Sequence, residues 1–135
     1  MKLREKLSRK LRKSKGFTLI EMLVVIAIIA ILVVVSVPMV NSSLTKAKTA
    51  TDDANERAAK AAALIQYMTS EDTDGATYYY NADTGAIQEG GATGIEGYNQ
   101  TVRDSQPVGK GCVQIVISAD GTIGTDAITW VEAGK

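Results

Sequence analysis

Histidine is absent from the 135 residues, cysteine occurs once, proline twice, and aromatic residues make up only 5%. Without imidazole there is no histidine-based catalytic triad and no His-rich metal site. The single cysteine, Cys112, has no partner for an intrachain disulfide. It precedes an alternating apolar segment and reads as a small core residue rather than a reactive thiol. No catalytic nucleophile motif and no complete phosphate-binding loop is present. Gly109-Lys110-Gly111 lacks the longer glycine spacing and the Lys-Ser/Thr ending of such a loop. The composition therefore predicts a protein that is not an enzyme and needs no cofactor.

Net charge is also missing, at zero, but that sum hides a division. Up to Gly16 the chain carries Lys2, Arg4, Lys6, Arg9, Lys10, Arg12, Lys13 and Lys15 against Glu5 alone; after Gly16, 7 basic residues face 14 acidic ones. A basic end beside an apolar span stays cytoplasmic and places the acidic remainder across the membrane. Next to such a span it reads as a topology signal attracted to anionic lipid, and no direct nucleic-acid contact is predicted.

The apolar span itself is GFTLIEMLVVIAIIAILVVVSVPMV, residues 16–40. From Met22 to Val40 there is no charge, and only Ser36 and Pro38 interrupt the aliphatic run. As a helix that stretch rises about 28 Å, close to the thickness of a bilayer's hydrocarbon core. It is too long for a cleavable secretory signal, and no small-residue cleavage site follows Pro38, so the span is expected to stay with the mature protein. Glu21 is the anomaly. An ionised carboxylate at membrane depth needs a partner, and no Lys, Arg or His lies between Phe17 and Val40.

Lys15-Gly16-Phe17-Thr18-Leu19-Ile20-Glu21, joined to this aliphatic helix, resembles the N-terminal signature of type IV prepilins and related pseudopilins. The resemblance covers roughly residues 12–45. It implies that a prepilin peptidase cuts between Gly16 and Phe17 and N-methylates Phe17. It further implies that Glu21 pairs with the terminal amine of a neighbouring subunit during assembly, and that Pro38 is the family's helix-breaking proline. Many Gram-negative pilins staple their C-terminal region with a disulfide. Its absence here fits a Gram-positive source, or a pseudopilin, better.

Beyond Pro38 the helix is expected to continue to about Met68. Leu44, Ala47, Ala54, Ala58, Ala61, Ile65 and Met68 recur at spacings of threes and fours, with charges between them. This alanine-rich stripe is expected to lie mostly in the core, with the remainder left for a subunit contact. Ser70 to Gly75 reads as a solvated acidic turn; it lacks the later ligands of a calcium loop, and no metal site is assigned. Tyr78-Tyr79-Tyr80 opens a strand that turns at residues 81–85 and returns through Ala86-Ile87-Gln88, leaving at least one tyrosine exposed. Residues 89–111 read as a long polar loop. Val113, Ile115 and Ile117 alternate, Asp120-Gly121 signals a tight turn, and Thr122-Ile123 and Ile128-Thr129-Trp130-Val131 return, with Trp130 as the largest anchor.

The expected fold is α+β and pilin-like: one long helix packed on a small C-terminal antiparallel sheet. Its parts are a basic leader (1–16), a transmembrane or filament-core helix (17–40), an amphipathic continuation (41–69) and a β-rich head (70–135). The function implied by the resemblance is a structural subunit of a helical homo-oligomeric surface filament, held in the cytoplasmic membrane as a single-pass precursor before assembly. Its implied partners are the prepilin peptidase, an assembly ATPase and a platform protein. The alternatives are a pseudopilin of a type II secretion or DNA-uptake system, or an uncleaved single-span binding module.

Overall fold

The computed structural model describes residues 16–135, so the basic leader expected over residues 1–16 lies outside it apart from Gly16. A single 51-residue helix, α1 (Leu19–Thr69), is followed by strands β1 (Ala76–Asn81), β2 (Ala86–Glu89), β3 (Gly111–Ile117) and β4 (Ile128–Glu132). The chain divides into two compact units between Ser42 and Ser43.

In the first unit every described residue is exposed. Its helix is aliphatic on all sides, the pattern of a segment whose solvent is lipid or another helix rather than its own core. Among the described residues, α1 is the one helix long and apolar enough to cross a membrane. Pro38 lies inside α1, which continues through it. Proline there removes the amide donor of the Val34 carbonyl, and two residues earlier the Ser36 hydroxyl donates to the Leu32 carbonyl at 2.6 Å.

The second unit is an antiparallel sheet of order β2-β1-β3-β4 with the latter part of α1 on one face. Tyr78 stands opposite Ile115, and Val113 opposite Trp130. Strand alternation sends Tyr78, Tyr80, Val113, Ile115, Ile117 and Trp130 to the helix side, where Ala59 and Ala63 are fully buried against them. Alanine suits this contact because the absent side chain lets the helix approach a sheet crowded with aromatic rings. Tyr98 joins the cluster edge-on to Tyr80 and Trp130, with ring centroids 6.2 and 5.3 Å away.

The opposite face of the sheet is covered too. Ala92, Ile95 and Cys112 form a smaller buried cluster flanked by Tyr79 and Val131. Residues 92–98 therefore form a packed layer, although no strand or helix runs through them. One tight place fixes that layer: a Cβ on Gly97 would collide with the Gly109 carbonyl oxygen. Tyr79, which alternation turns away from the helix, is half-buried and accepts a hydrogen bond from Gln114 Nε2 at 2.9 Å. None of the three tyrosines is exposed: Tyr78 and Tyr80 lie under the helix, and the loop layer covers Tyr79.

Two sequence expectations differ from the fold. The turn at Asp120-Gly121 forms, closed by Gly121 N–H to the Ser118 carbonyl at 2.8 Å, but Thr122-Ile123 do not enter the sheet. The chain loops from Ser118 to Ala127 before β4 begins. The second difference concerns the helix face. Leu44, Ala47, Ala54, Ala58, Ala61, Ile65 and Met68 are all exposed; the face buried on the sheet carries Asp52, Ala59 and Ala63. Apolar periodicity selected the wrong side because the buried side contains a carboxylate whose hydrogen bonds offset its desolvation.

Enlarging the two kinds of alanine separates these faces. Ala59→Leu or Ala63→Leu should overpack the core and cost about 1–3 kcal/mol, whereas Ala58→Leu should change stability by less than about 0.5 kcal/mol. Denaturant midpoints of the full chain in detergent read the difference.

Candidate functional site

Two polar constellations stand out, one in each unit. The first begins at Gly16, Phe17 and Thr18, which precede α1 and are exposed. Thr18 is the N-cap. Its backbone N–H donates to Glu21 Oε2 at 2.9 Å, and the Glu21 N–H donates to the Thr18 hydroxyl oxygen at 3.3 Å. This reciprocal pair is a capping box, which satisfies two of the free amides at a helix start and sets a carboxylate on the positive end of the helix dipole. The T-x-x-E spacing before an apolar run was legible in the sequence as a cap signal, and the reading of Glu21 above passed over it.

The cap leaves Glu21 only partly satisfied. Among the described residues it receives one hydrogen bond and no ion pair. Gly16 has nothing within 4 Å of where a Cβ would stand, so the backbone around the Gly16–Phe17 bond is open. Four of the site residues expected from the sequence thus lie along one unit. Gly16, Phe17 and Glu21 gather at the helix start, while Pro38 lies far down the helix and shares no contact with them.

Residues 11–37 match the family model described as the prokaryotic N-terminal methylation motif. The chain carries that motif. It is the signature of type IV pilins and pseudopilins, so over these residues the chain is similar to their precursors, and its apolar helix is consistent with membrane anchoring. The methylation motif ends at residue 37 and leaves the head outside the match, and it carries no support for the Gram-positive source expected from the missing disulfide. No curated protein and no solved structure matches the chain.

The second constellation joins α1 to the loop before β3. Asp52 is fully buried. The Gln100 N–H donates to its Oδ1 at 2.7 Å, and the Thr101 N–H and hydroxyl donate to its Oδ2 at 2.8 and 2.6 Å. Arg103 donates to Asp53 at 2.5 Å and stands 3.6 Å from Glu56 and 3.8 Å from Asp52. Burial opposes the guanidinium charge, but the Asp53 hydrogen bond and the three carboxylates outweigh it and hold Arg103 above its ordinary pKa. Glu56 also accepts the Trp130 indole N–H at 2.7 Å.

Around this contact the loop turns back through Asp104 and Ser105, both at positive φ. Asp104 accepts the Trp130 backbone N–H at 2.7 Å, which holds the reversal to β4. Asn99, also fully buried, uses both ends of its amide. Its Nδ2 donates to the carbonyls of Thr101, Gln106 and Pro107, and its Oδ1 accepts from the N–H groups of Lys110 and Gly111. Sequence reading found Trp130 as an anchor but missed its polar partners, because isolated Asp, Asn and Arg in polar stretches give no periodic signal.

The arrangement is suited to holding a loop. Its carboxylates are consumed by donors within the chain, and among the described residues no group of acidic or thiol side chains converges to hold a metal. Cys112 lies buried under the loop layer, and burial pushes its thiol up to about 11, so it stays protonated near neutral pH.

Asp52→Ala would leave two part-buried backbone N–H groups, the Thr101 hydroxyl and the nearby Arg103 without this carboxylate, and should cost about 2–4 kcal/mol. Asp53→Ala removes a partner that is 40% exposed and should cost less than about 1 kcal/mol. Comparing the two unfolding midpoints checks this ranking.

Proposed function

We propose that the chain is a structural subunit that assembles into a filament at the cell surface through its N-terminal helix. The leader, residues 1–16, holds the precursor in the cytoplasmic membrane with the acidic head outside. A prepilin peptidase cuts between Gly16 and Phe17 and methylates the new Phe17 amine. An assembly ATPase and a platform protein drive addition of subunits, and the helices bundle as they leave the lipid. This reading covers pilins and pseudopilins alike, because the methylation motif is common to both. It assigns no catalysis and no cofactor to the chain.

The observation that carries the proposal is the state of Glu21. It heads a helix that is aliphatic on every side, with one amide donor from the cap and, among the described residues, no cation. In lipid that carboxylate is costly, whereas beside the terminal amine of a second subunit it is neutralised and sets the register between the two. The capping box supports the same role by orienting the carboxylate at the helix start, two turns or less from the terminus that cleavage would create.

Glu21→Ala should still insert and be cleaved, since neither step needs the carboxylate, and its filament yield should fall by about tenfold or more. Electron microscopy and pelleting of sheared filaments measure that yield. Wild-type amounts of filament from Glu21→Ala would remove this assembly mechanism.

A further inference from the structure

The head sorts its charges along and across α1. The three acidic residues of the helix within the head, Asp52, Asp53 and Glu56, all turn toward the Thr101–Arg103 loop. Lys46, Lys48, Arg57 and Lys60 remain exposed, and none has an ion pair among the described residues. The usual helix pairing of a cation with an acid one turn away is therefore unavailable to them, because the acids are already taken.

These cations border the exposed stripe that faces away from the sheet. Residues 44, 47, 51, 54, 58, 61, 65 and 68 alternate spacings of three and four, the seam of a helix that packs on a partner. Helical geometry sets Lys46 and Arg57 along one border of this seam and Lys48 along the other. Its middle is Ala54, Ala58 and Ala61, small enough for close approach, and Ile65 and Met68 stand exposed at its far end.

Opposite charge collects just past the C-terminus of α1. The last turn of the helix has no basic residue, and Glu71, Asp72 and Asp74 follow it, all exposed. The loop holding Asp120 lies against the same end: the Tyr67 hydroxyl donates to the Ala119 carbonyl at 3.5 Å, and Gly75 touches the backbone of residues 117–119. Acids at the negative end of a helix dipole are unfavourable for the isolated head, and nothing within it compensates them.

We infer that the basic-bordered seam of one head receives the acidic end, residues 71–74, of a second copy of this chain. The two surfaces differ, one along the helix and the other past its end, so the contact is heterologous and repeats from copy to copy instead of closing into a dimer. Charge complementarity selects this occupant: each surface is unpaired in the single chain, and the two have opposite sign. The inference rests on the filament reading and adds to it the surface by which heads meet.

The test is a charge swap in the full chain, expressed with its processing and assembly machinery. Lys46→Glu with Arg57→Glu, and separately Asp72→Lys with Asp74→Lys, should each lower filament yield by about tenfold. Combining all four changes should restore yield to within about threefold of the unmutated chain. Unfolding midpoints of the precursors in detergent should be unchanged, since all four side chains are exposed. Filaments unaffected by either reversal, or a combined variant no better than the poorer parent, would overturn the inference while leaving the filament reading in place. Absence of filaments from the unmutated chain would remove the filament reading and this inference together.

Discussion

The head depends on one buried carboxylate. Asp52 sits under the loop before β3 and receives three hydrogen bonds from Gln100 and Thr101, at 2.6–2.8 Å. Hydrogen bonds to a charged acceptor are the strong kind, and in a buried site they must be complete or the charge becomes a liability. Here they are complete, with Arg103 close by to offset the charge. That contact carries the rest. It fixes the loop against α1, positions Arg103 between Asp53 and Glu56, and lets Glu56 hold the Trp130 indole. Trp130 in turn anchors β4 to the core beneath Ala59 and Ala63. A chain with one cysteine has no covalent clamp for its C-terminal region, and this network supplies a non-covalent one.

The two units set up a contrast between carboxylates. Asp52 is satisfied inside its own chain. Among the described residues Glu21 has only the reciprocal cap with Thr18, on a helix whose other residues offer no polar partner until Ser36. One carboxylate is thus a fold determinant, and the other is left for something outside the chain. The proposed filament gives Glu21 its cation and gives the aliphatic helix a solvent other than lipid. The same logic extends to the head, whose inward acids leave its cations outward.

Much of this was legible in the sequence. The apolar run, the Gly16–Glu21 string and the α+β order of elements follow from composition, motif and alternation, and the structure has the long helix and the four-stranded antiparallel sheet. What escaped was decided by polar contacts between distant residues. Apolar periodicity put Ala58 and Ala61 in the core, yet Ala59 and Ala63 are there, because Asp52 on their face finds its donors 48 and 49 residues away. The loop layer over the second face of the sheet was equally hidden. Its order comes from Asn99, Gly97 and backbone carbonyls, which have the composition of an unstructured linker. Tyr79 looked exposed for the same reason: nothing local says that residues 92–98 fold over it.

The central claim, that the chain is a processed precursor of a surface filament, is tested most directly by the intact mass of the protein recovered from its native membrane or surface. The account predicts a chain that has lost residues 1–16, begins at Phe17 and carries one added methyl group. A chain that retains Met1 to Gly16 would contradict it, and would make the protein an anchored module in which Glu21 serves only to cap its helix.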